Sequence, residues 1–289
     1  MTILRAVLTE FKEAKPFVKW AGGKRDLAAF IISFMPKNFN DYFEPFLGGG
    51  ALFFALFNKG LLQNKKAYLS DKNKELMNAY FVLQNKQDEL LKELKKLQIR
   101  HSKEQFYEIR KIDRAENFLQ TNEVFRAARF IYLNKTCFNG LCRYNSKGFF
   151  NTPIGSYKNP KICDENLILN AHFALQKARI LESDFAFAKR AKSGDFVYFD
   201  PPYFPLNATS SFTSYTNHFS QDEHLRLFEL FKMLDYKGVK LLQSNSNSPF
   251  IKELYKDFEI IEIKAKRAIN CKGDKRGEVT DLLIKGNFE

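Results

Sequence analysis

The apolar positions of the chain fall into three patterns. From Phe17 to Asp71, short runs of strand length alternate with runs at helical spacing, and glycines interrupt them at Gly22-Gly23 and Gly48-Gly49-Gly50. Tyr42-Phe43-Glu44-Pro45 and Ala67-Tyr68-Leu69-Ser70 read as strands, and Ala51 to Phe57 between them reads as a helix. From Lys72 to about Ile168 apolar residues recur at helical spacing, as in Glu89-Leu90-Leu91-Lys92-Glu93-Leu94, which predicts a mostly helical stretch. Compact apolar runs then return at Phe196-Val197-Tyr198-Phe199, Val239-Lys240-Leu241-Leu242 and Asp281-Leu282-Leu283-Ile284. Ser220-Gln221-Asp222-Glu223 carries the side chains of a helix start. Strands alternating with helices predict an α/β fold, a mixed and mostly parallel sheet with helices on both faces. The expected domains are a sheet domain over 1–75 and 169–289 and an inserted, mostly helical domain over 76–168.

The 289 residues suffice for a substantial core. Cys137, Cys142, Cys163 and Cys271 form no C-x-x-C pair, and no histidine stands at metal-ligand spacing from them. Neither structural zinc nor a disulfide framework is expected, which suits a reducing cytoplasm. No apolar run reaches membrane-spanning length, and Arg5, Glu10, Lys12, Glu13 and Lys15 are too many charges for a signal-peptide core. His101, His172, His218 and His224 are solitary, with no catalytic constellation around them.

Charge changes this picture in one place. The chain carries 46 basic and 33 acidic residues, a formal +13. Between Val124 and Cys163 there is no Asp or Glu, while Arg126, Arg129, Lys135, Arg143, Lys147, Lys158 and Lys161 all fall there. Phe125, Phe130, Tyr132, Phe138, Tyr144, Phe149, Phe150 and Tyr157 are interleaved with them. Cations among aromatic rings suit phosphate contact combined with base stacking or wedging. A solvated basic face beside core aromatics is the other reading.

Two glycine-rich loops precede this window. Phe46-Leu47-Gly48-Gly49-Gly50 follows a strand and opens a helix, where glycines let the backbone approach a ligand closely. Asp71 ends the next strand, about twenty residues on, the place of a carboxylate that accepts from ribose hydroxyls. A helix-capping Asp, or a dehydrogenase, fits the same pattern. Pro16-Phe17-Val18-Lys19-Trp20-Ala21-Gly22-Gly23-Lys24-Arg25 lacks the spacing of a phosphate loop, but its Gly-Gly-Lys turn suits a carboxylate. Asp200-Pro201-Pro202-Tyr203 follows the strand Phe196–Phe199, and two prolines force the backbone out of the sheet. In open α/β sheets ligands bind there, beyond the carboxyl ends of the strands. The loop offers a carboxylate, constrained carbonyls and an aromatic face. Acceptors for both hydrogens of an exocyclic amine aim its lone pair, and a ring beside it stacks an extruded base.

In these motifs and their order the chain resembles the Dam-type DNA adenine-N6 methyltransferases, from about Pro16 to Ile284. Lys19-Trp20-Ala21-Gly22-Gly23-Lys24 is similar to the family's opening signature, and Glu44-Pro45-Phe46-Leu47-Gly48-Gly49-Gly50 to its cofactor loop, where Gly-x-Gly is more usual. Asn139-Gly140-Leu141-Cys142-Arg143-Tyr144-Asn145 resembles the recognition segment and Asp200-Pro201-Pro202-Tyr203 the catalytic tetrapeptide. The resemblance implies a Rossmann-like methyltransferase fold, S-adenosylmethionine as cofactor, and double-stranded DNA as partner, commonly at GATC, for an enzyme that acts as a monomer in the cytoplasm. It implies Trp20, Ala21, Gly22, Lys24, Phe46, Gly48, Gly50, Asp71, Asp184 and Phe185 as cofactor contacts. Asp200, Pro201, Pro202 and Tyr203 would be catalytic. Lys19, Phe138, Asn139, Leu141, Arg143, Pro153 and Tyr157 would meet DNA: Arg143 at a guanine edge, Leu141 and Pro153 against bases, and Phe138 and Asn139 wedged into the stack. Phe138 stands where the family often has tyrosine.

Three other classes are weighed against this. An RNA or protein-amide methyltransferase shares the chemistry, but the protein-glutamine enzymes favour Asn where this chain has Asp200. A non-catalytic DNA-binding regulator would have no use for Asp200 and two intact glycine loops. A nicotinamide dehydrogenase leaves the basic window unexplained.

Overall fold

The computed structural model describes residues 13–22, 27–206, 219–266 and 278–289. Lys24, Cys271, most of the charged opening stretch and the polar segment Phe212–Asn217 lie outside the described residues. In chain order the elements are α1 (Ala28–Ser33), β1 (Tyr42–Glu44), α2 (Ala51–Asn58), β2 (Ala67–Asp71), α3 (Lys74–Asn85), α4 (Gln87–Ile99), α5 (Lys103–Lys111), α6 (Glu123–Thr136), α7 (Glu165–Leu175), β3 (Ala178–Glu182), β4 (Phe196–Phe199), α8 (Gln221–Tyr236), β5 (Lys240–Ser246), α9 (Pro249–Leu254), β6 (Glu259–Lys266) and β7 (Glu278–Lys285). They pack into two compact units. One comprises Met1–Arg25, Gly48–Asn64 and Asn73–Glu182, the other Asp26–Leu47, Lys65–Lys72 and Ser183–Glu289.

The expected α/β fold with a mostly parallel sheet is found. Among the described residues, the six strands of the second unit run in the order β2-β1-β4-β5-β7-β6. The pairs β1/β2, β1/β4 and β4/β5 are parallel, and β7 enters antiparallel between β5 and β6. From β1 the chain turns to β2 on one side and only later to β4 on the other, so the strand order reverses between β1 and β4. That switch point is where such sheets open a crevice at their carboxyl ends. All four residues of β4 are buried, as the continuous apolar run of a central parallel strand requires. The core of this unit joins Phe43, Val197, Phe199, Leu241 and Ile284 of the sheet to Leu227, Phe231 and Leu234 of α8 and to Ile251 and Tyr255 around α9. Ser220 caps α8, accepting from the Glu223 N–H at 3.3 Å, as its sequence predicts.

In the first unit α6 packs on α3 and α4, and α4 on α7. Four helix starts are chemically marked. Asn73, Ser102, Asn122 and Asp164 accept from backbone N–H groups at the starts of α3, α5, α6 and α7, satisfying donors that the helix leaves unpaired. Tyr80, Tyr132, Phe106 and Phe150 are among the largest fully buried side chains. No helix among the described residues is long and apolar enough to cross a membrane.

Candidate active site

Within the second unit, β4 ends at Phe199 and Asp200-Pro201-Pro202-Tyr203 leads away. Pro201 is buried, Pro202 is exposed, and Asp200 and Tyr203 are half-buried. Beneath them lies a polar layer. The buried Tyr42 hydroxyl donates to Glu44 Oε2 at 2.8 Å, and the Tyr198 hydroxyl pairs with Ser244 Oγ at 2.7 Å. Burial first, then the Glu44 carboxylate and more weakly Tyr198 and Asp200, holds the Tyr42 phenol protonated well above its ordinary range. Burial and then Asp200 do the same for Tyr198. Asp200 therefore lies in a neighbourhood of neutral phenols, where a carboxylate acts through a lower dielectric than in water.

The same unit brings together four of the expected cofactor residues. Phe46 stacks on Phe185 with ring centroids 5.3 Å apart, the Leu47 N–H donates to the Ser70 carbonyl at 3.0 Å, and the Ser183 N–H donates to the Asp71 carbonyl at 3.1 Å. Asp71 and Asp184 thus flank one junction at the carboxyl end of β2. The Asp184 carboxylate accepts two bonds of 2.8 Å from the Arg226 fork and one of 2.9 Å from the Ala186 N–H. The Arg226 guanidinium beside it holds the carboxyl below the usual carboxylate range. Arg226 also lies 3.9 Å from the centroid of the Phe185 ring, which is otherwise stacked against Phe46 and only 4% exposed. With its ring so enclosed, Phe185 has chiefly its backbone to offer a ligand.

In the first unit, Trp20 covers the second glycine loop. A Cβ added at Gly48, whose φ is +49°, would come within 2.6 Å of the indole, so glycine is required there on two counts. The Tyr80 hydroxyl donates to the Gly48 carbonyl at 3.1 Å, and Gly50 begins α2. Ala21 is half-buried and Gly22 exposed beside Trp20. The indole thus covers a stretch of backbone stripped of side-chain bulk.

The seven expected DNA contacts all lie in the first unit. Residues 137–145 and 149–154 form two antiparallel limbs. Cys137 bridges Ile154, Tyr144 bridges Phe150, the Phe138 N–H donates to the Pro153 carbonyl at 2.9 Å and the Asn151 N–H to the Arg143 carbonyl at 2.9 Å. Phe138, Asn139, Arg143, Pro153 and Tyr157 are exposed and Leu141 is half-buried. The Lys19 ammonium lies 3.9 Å from the centroid of the Tyr157 ring, a cation–π contact. Burial, and after it the Lys19 charge, lowers the Lys135 amine to about 8.

A family model for D12 class N6 adenine-specific DNA methyltransferases matches residues 20–269. The chain belongs to this family. It is 46% identical over 274 residues to the Type II methyltransferase M1.LlaDCHI of Lactococcus lactis subsp. cremoris, covering 93% of this chain and 94% of that one. It is 46% identical over 288 residues to the Type II methyltransferase M.MjaIII of Methanocaldococcus jannaschii, with 94% and 99% covered. To the DNA adenine methylase of Escherichia coli (strain K12) it is 34% identical over 276 residues, with 94% and 95% covered. The protein is thus an adenine-specific DNA methyltransferase, and the family implies S-adenosylmethionine as its methyl donor.

Three side chains of this D12 methyltransferase carry tasks that the sequence reading overlooked. Asn134, fully buried, accepts from the Lys19 N–H at 2.7 Å and donates to the Lys19 and Gly140 carbonyls at 2.7 and 3.0 Å. It staples the opening loop to the loop at Gly140, where an added Cβ would meet Lys19 at 2.5 Å. Asn151 accepts from Arg143 Nε at 2.9 Å; among the described residues the two terminal nitrogens of Arg143 make no hydrogen bond. Arg226 is the partner of Asp184. Asn134 and Arg226 act across large sequence separations and Asn151 between two antiparallel limbs, so no local pattern announced them.

His224 packs beside the residue that follows Tyr203, its ring centroid 5.5 Å from that of Phe204 and 4.7 Å from that of Phe219. Its Nε2 is buried and makes no hydrogen bond among the described residues. Burial lowers its pKa from 6.5 to about 4. The unfolded chain therefore binds this proton first as pH falls. The stabilisation is fully present above about pH 6.5 and is lost towards pH 4, by about 2 kcal/mol between pH 7 and pH 5. Urea unfolding at those two pH values should show a steeper loss for the wild type than for His224→Phe. Equal losses would contradict the neutral buried imidazole.

Proposed function

We propose that the enzyme methylates the N6 amine of an adenine extruded from double-stranded DNA, within GATC. The observation that carries this reading is the Asp200–Tyr203 loop, which leaves the carboxyl end of β4 over a buried polar layer holding two neutral phenols. Residues 76–168 act as the target-recognition domain and 1–75 with 169–289 as the catalytic domain. The flipped adenine stacks on Tyr203. Asp200 and the Pro201 carbonyl accept the two amine hydrogens, which aims the nitrogen lone pair along the line of attack, and Pro202 stiffens the loop. When bound, S-adenosylmethionine supplies an electrophilic methyl on a good leaving group, so the protein contributes position and electrostatics. Asp71 accepts from the ribose and Asp184 with the Phe185 backbone meets the cofactor's adenine. Phe46 packs along it, and Trp20, Ala21, Gly22, Lys24, Gly48 and Gly50 attend its methionine end.

Lys19, Leu141, Arg143, Pro153 and Tyr157 read the duplex, while Phe138 and Asn139 enter the stack as the target leaves. The mutually repelling Lys19 and Lys135 suit a phosphate nearby. With Nε tied to Asn151, the terminal nitrogens of Arg143 are pre-oriented for the N7/O6 edge of a guanine. Arg143→Ala should therefore lose about 1–3 kcal/mol of discrimination at one base pair. Competition between GATC and singly altered duplexes measures it, and a uniform loss across all duplexes would reassign Arg143 to phosphate contact. The reading as a whole is tested by incubating the enzyme with labelled S-adenosylmethionine and a panel of duplexes. Label should appear as N6-methyladenine in GATC duplexes. Label confined to other duplexes would refute the specificity, and label on cytosine would refute the assigned chemistry.

A further inference from the structure

Strand β5 changes character half-way along. Leu241 and Leu242 are apolar, but Gln243, Ser244, Asn245 and Ser246 are each exposed by no more than 1%. Buried strands of parallel sheets normally continue apolar, and a buried polar group without a partner is destabilising. Most of these groups have partners. Gln243 Oε1 accepts from the Tyr255 hydroxyl at 3.0 Å, and Ser244 pairs with Tyr198. The next two converge on one residue. Asn245 Oδ1 accepts from the Phe204 N–H at 3.1 Å and from the Ser246 N–H at 2.9 Å, while Ser246 Oγ donates to the Phe204 carbonyl at 2.7 Å.

Phe204 immediately follows the catalytic tetrapeptide. Its ring is held as well, stacked on Phe250 at 4.5 Å between centroids and edge-on to His224 at 5.5 Å. The tetrapeptide is therefore tied at its start by the pairing of β4 with β5, in which Phe199 faces Gln243, and at its end by Asn245 and Ser246. Both anchors come from the same strand. The Asn245 amide nitrogen is also buried without a hydrogen-bond partner among the described residues, a penalty that a purely stabilising role for this residue does not explain.

We propose that Asn245 and Ser246 are positioning residues for methyl transfer: by fixing Phe204 against β5 they set the direction in which Asp200 and Tyr203 meet the target amine. This rests on Asp200–Tyr203 being the catalytic loop. Small misplacements of a reacting group can lower a rate about 100-fold, so Asn245→Ala should reduce kcat about 100-fold and Ser246→Ala roughly tenfold. KM for the duplex and for S-adenosylmethionine, and the cofactor Kd from titration, should stay within about twofold, since the loop's aim rather than its binding is altered. Ser246→Thr, which keeps a hydroxyl, should restore kcat. Ser248→Ala is the structural control: Ser248 is buried in the same region and caps α9, accepting from the Ile251 N–H at 3.2 Å, but makes no bond to Phe204. It should lower Tm and leave kcat unchanged.

Asp200→Ala, measured alongside, separates the two ideas. If Asp200→Ala is inactive while Asn245→Ala and Ser246→Ala keep wild-type kcat, the positioning role is overturned and the catalytic loop stands. Altered KM with unchanged kcat would overturn it too. If Asp200→Ala retains turnover, the catalytic assignment itself fails. Should Asn245→Ala not fold, Ser246→Ala and Ser246→Thr carry the comparison.

Discussion

Asp200→Ala is expected to lower methyl-transfer turnover about 10³-fold, about 4 kcal/mol in the barrier, while leaving the affinity for S-adenosylmethionine unchanged. The exocyclic amine of adenine is a poor nucleophile because its lone pair is delocalised into the ring. As the new bond forms, positive charge develops on nitrogen, and a fixed carboxylate stabilises that charge more than it stabilises the neutral amine. The surroundings of Asp200 enlarge this difference. Tyr42 and Tyr198 are held neutral by burial, so no other charge on these neighbours competes, and preorganised groups act strongly where water is scarce. Single-turnover measurements with cofactor already bound isolate the chemical step. Asp200→Asn keeps an acceptor but loses the charge, so it should fall between wild type and Asp200→Ala. Wild-type turnover in Asp200→Ala would exclude the carboxylate from the reaction.

Asp113→Ala is expected to destabilise the protein by about 3–5 kcal/mol. Arg129 and Asp113 are paired at 3.0 Å with side chains only 4% and 7% exposed. Arg129 donates further to the Ile109 and Arg110 carbonyls, each at 2.8 Å, so removing the acid strands a buried cation that still has hydrogen bonds but no counter-charge. The loss extends to the antiparallel limbs at 137–145 and 149–154, because Asp113 also accepts from the Phe150 N–H at 2.7 Å. Urea unfolding gives the magnitude. Replacing both partners together, Asp113→Leu with Arg129→Met, should recover most of the loss, since an apolar pair of similar volume is often neutral. A loss below about 1 kcal/mol in Asp113→Ala would show that the pair is solvated in solution.

This pair also marks where sequence reasoning reached its limit. The acid-free window from Val124 to Cys163 reads as uniformly basic. In the fold, Arg126 pairs with Glu75, Arg129 with Asp113 and Lys161 with Asp164, all acids from outside the window. Arg143, Lys147 and Lys158 are exposed. The aromatics divide similarly: Phe130, Tyr132 and Phe150 are core, whereas Phe138 and Tyr157 face solvent at 49% and 39% exposure. Charge along a chain reveals nothing about partners brought in by folding. The buried polar half of β5 was hidden for the same reason. Gln243 to Ser246 look like the end of a strand until Phe204 and Tyr198 are placed against them.

By itself the sequence determined what depends on near neighbours. Apolar spacing specified helices and strands, Ser220 a helix start, the prolines after Phe199 the exit from the sheet, and motif order the family. Those features survive because backbone geometry and short-range hydrogen bonding act within a few residues. Only the tertiary structure decided which cations are neutralised, that Asn134 joins Lys19 to Gly140, that Asn151 orients Arg143, and that Asn245 and Ser246 hold the residue behind Tyr203. Most of these contacts join groups far apart in the chain. Except for the Asn151 bond within one hairpin, their partners are chosen by packing, so no local pattern can encode them.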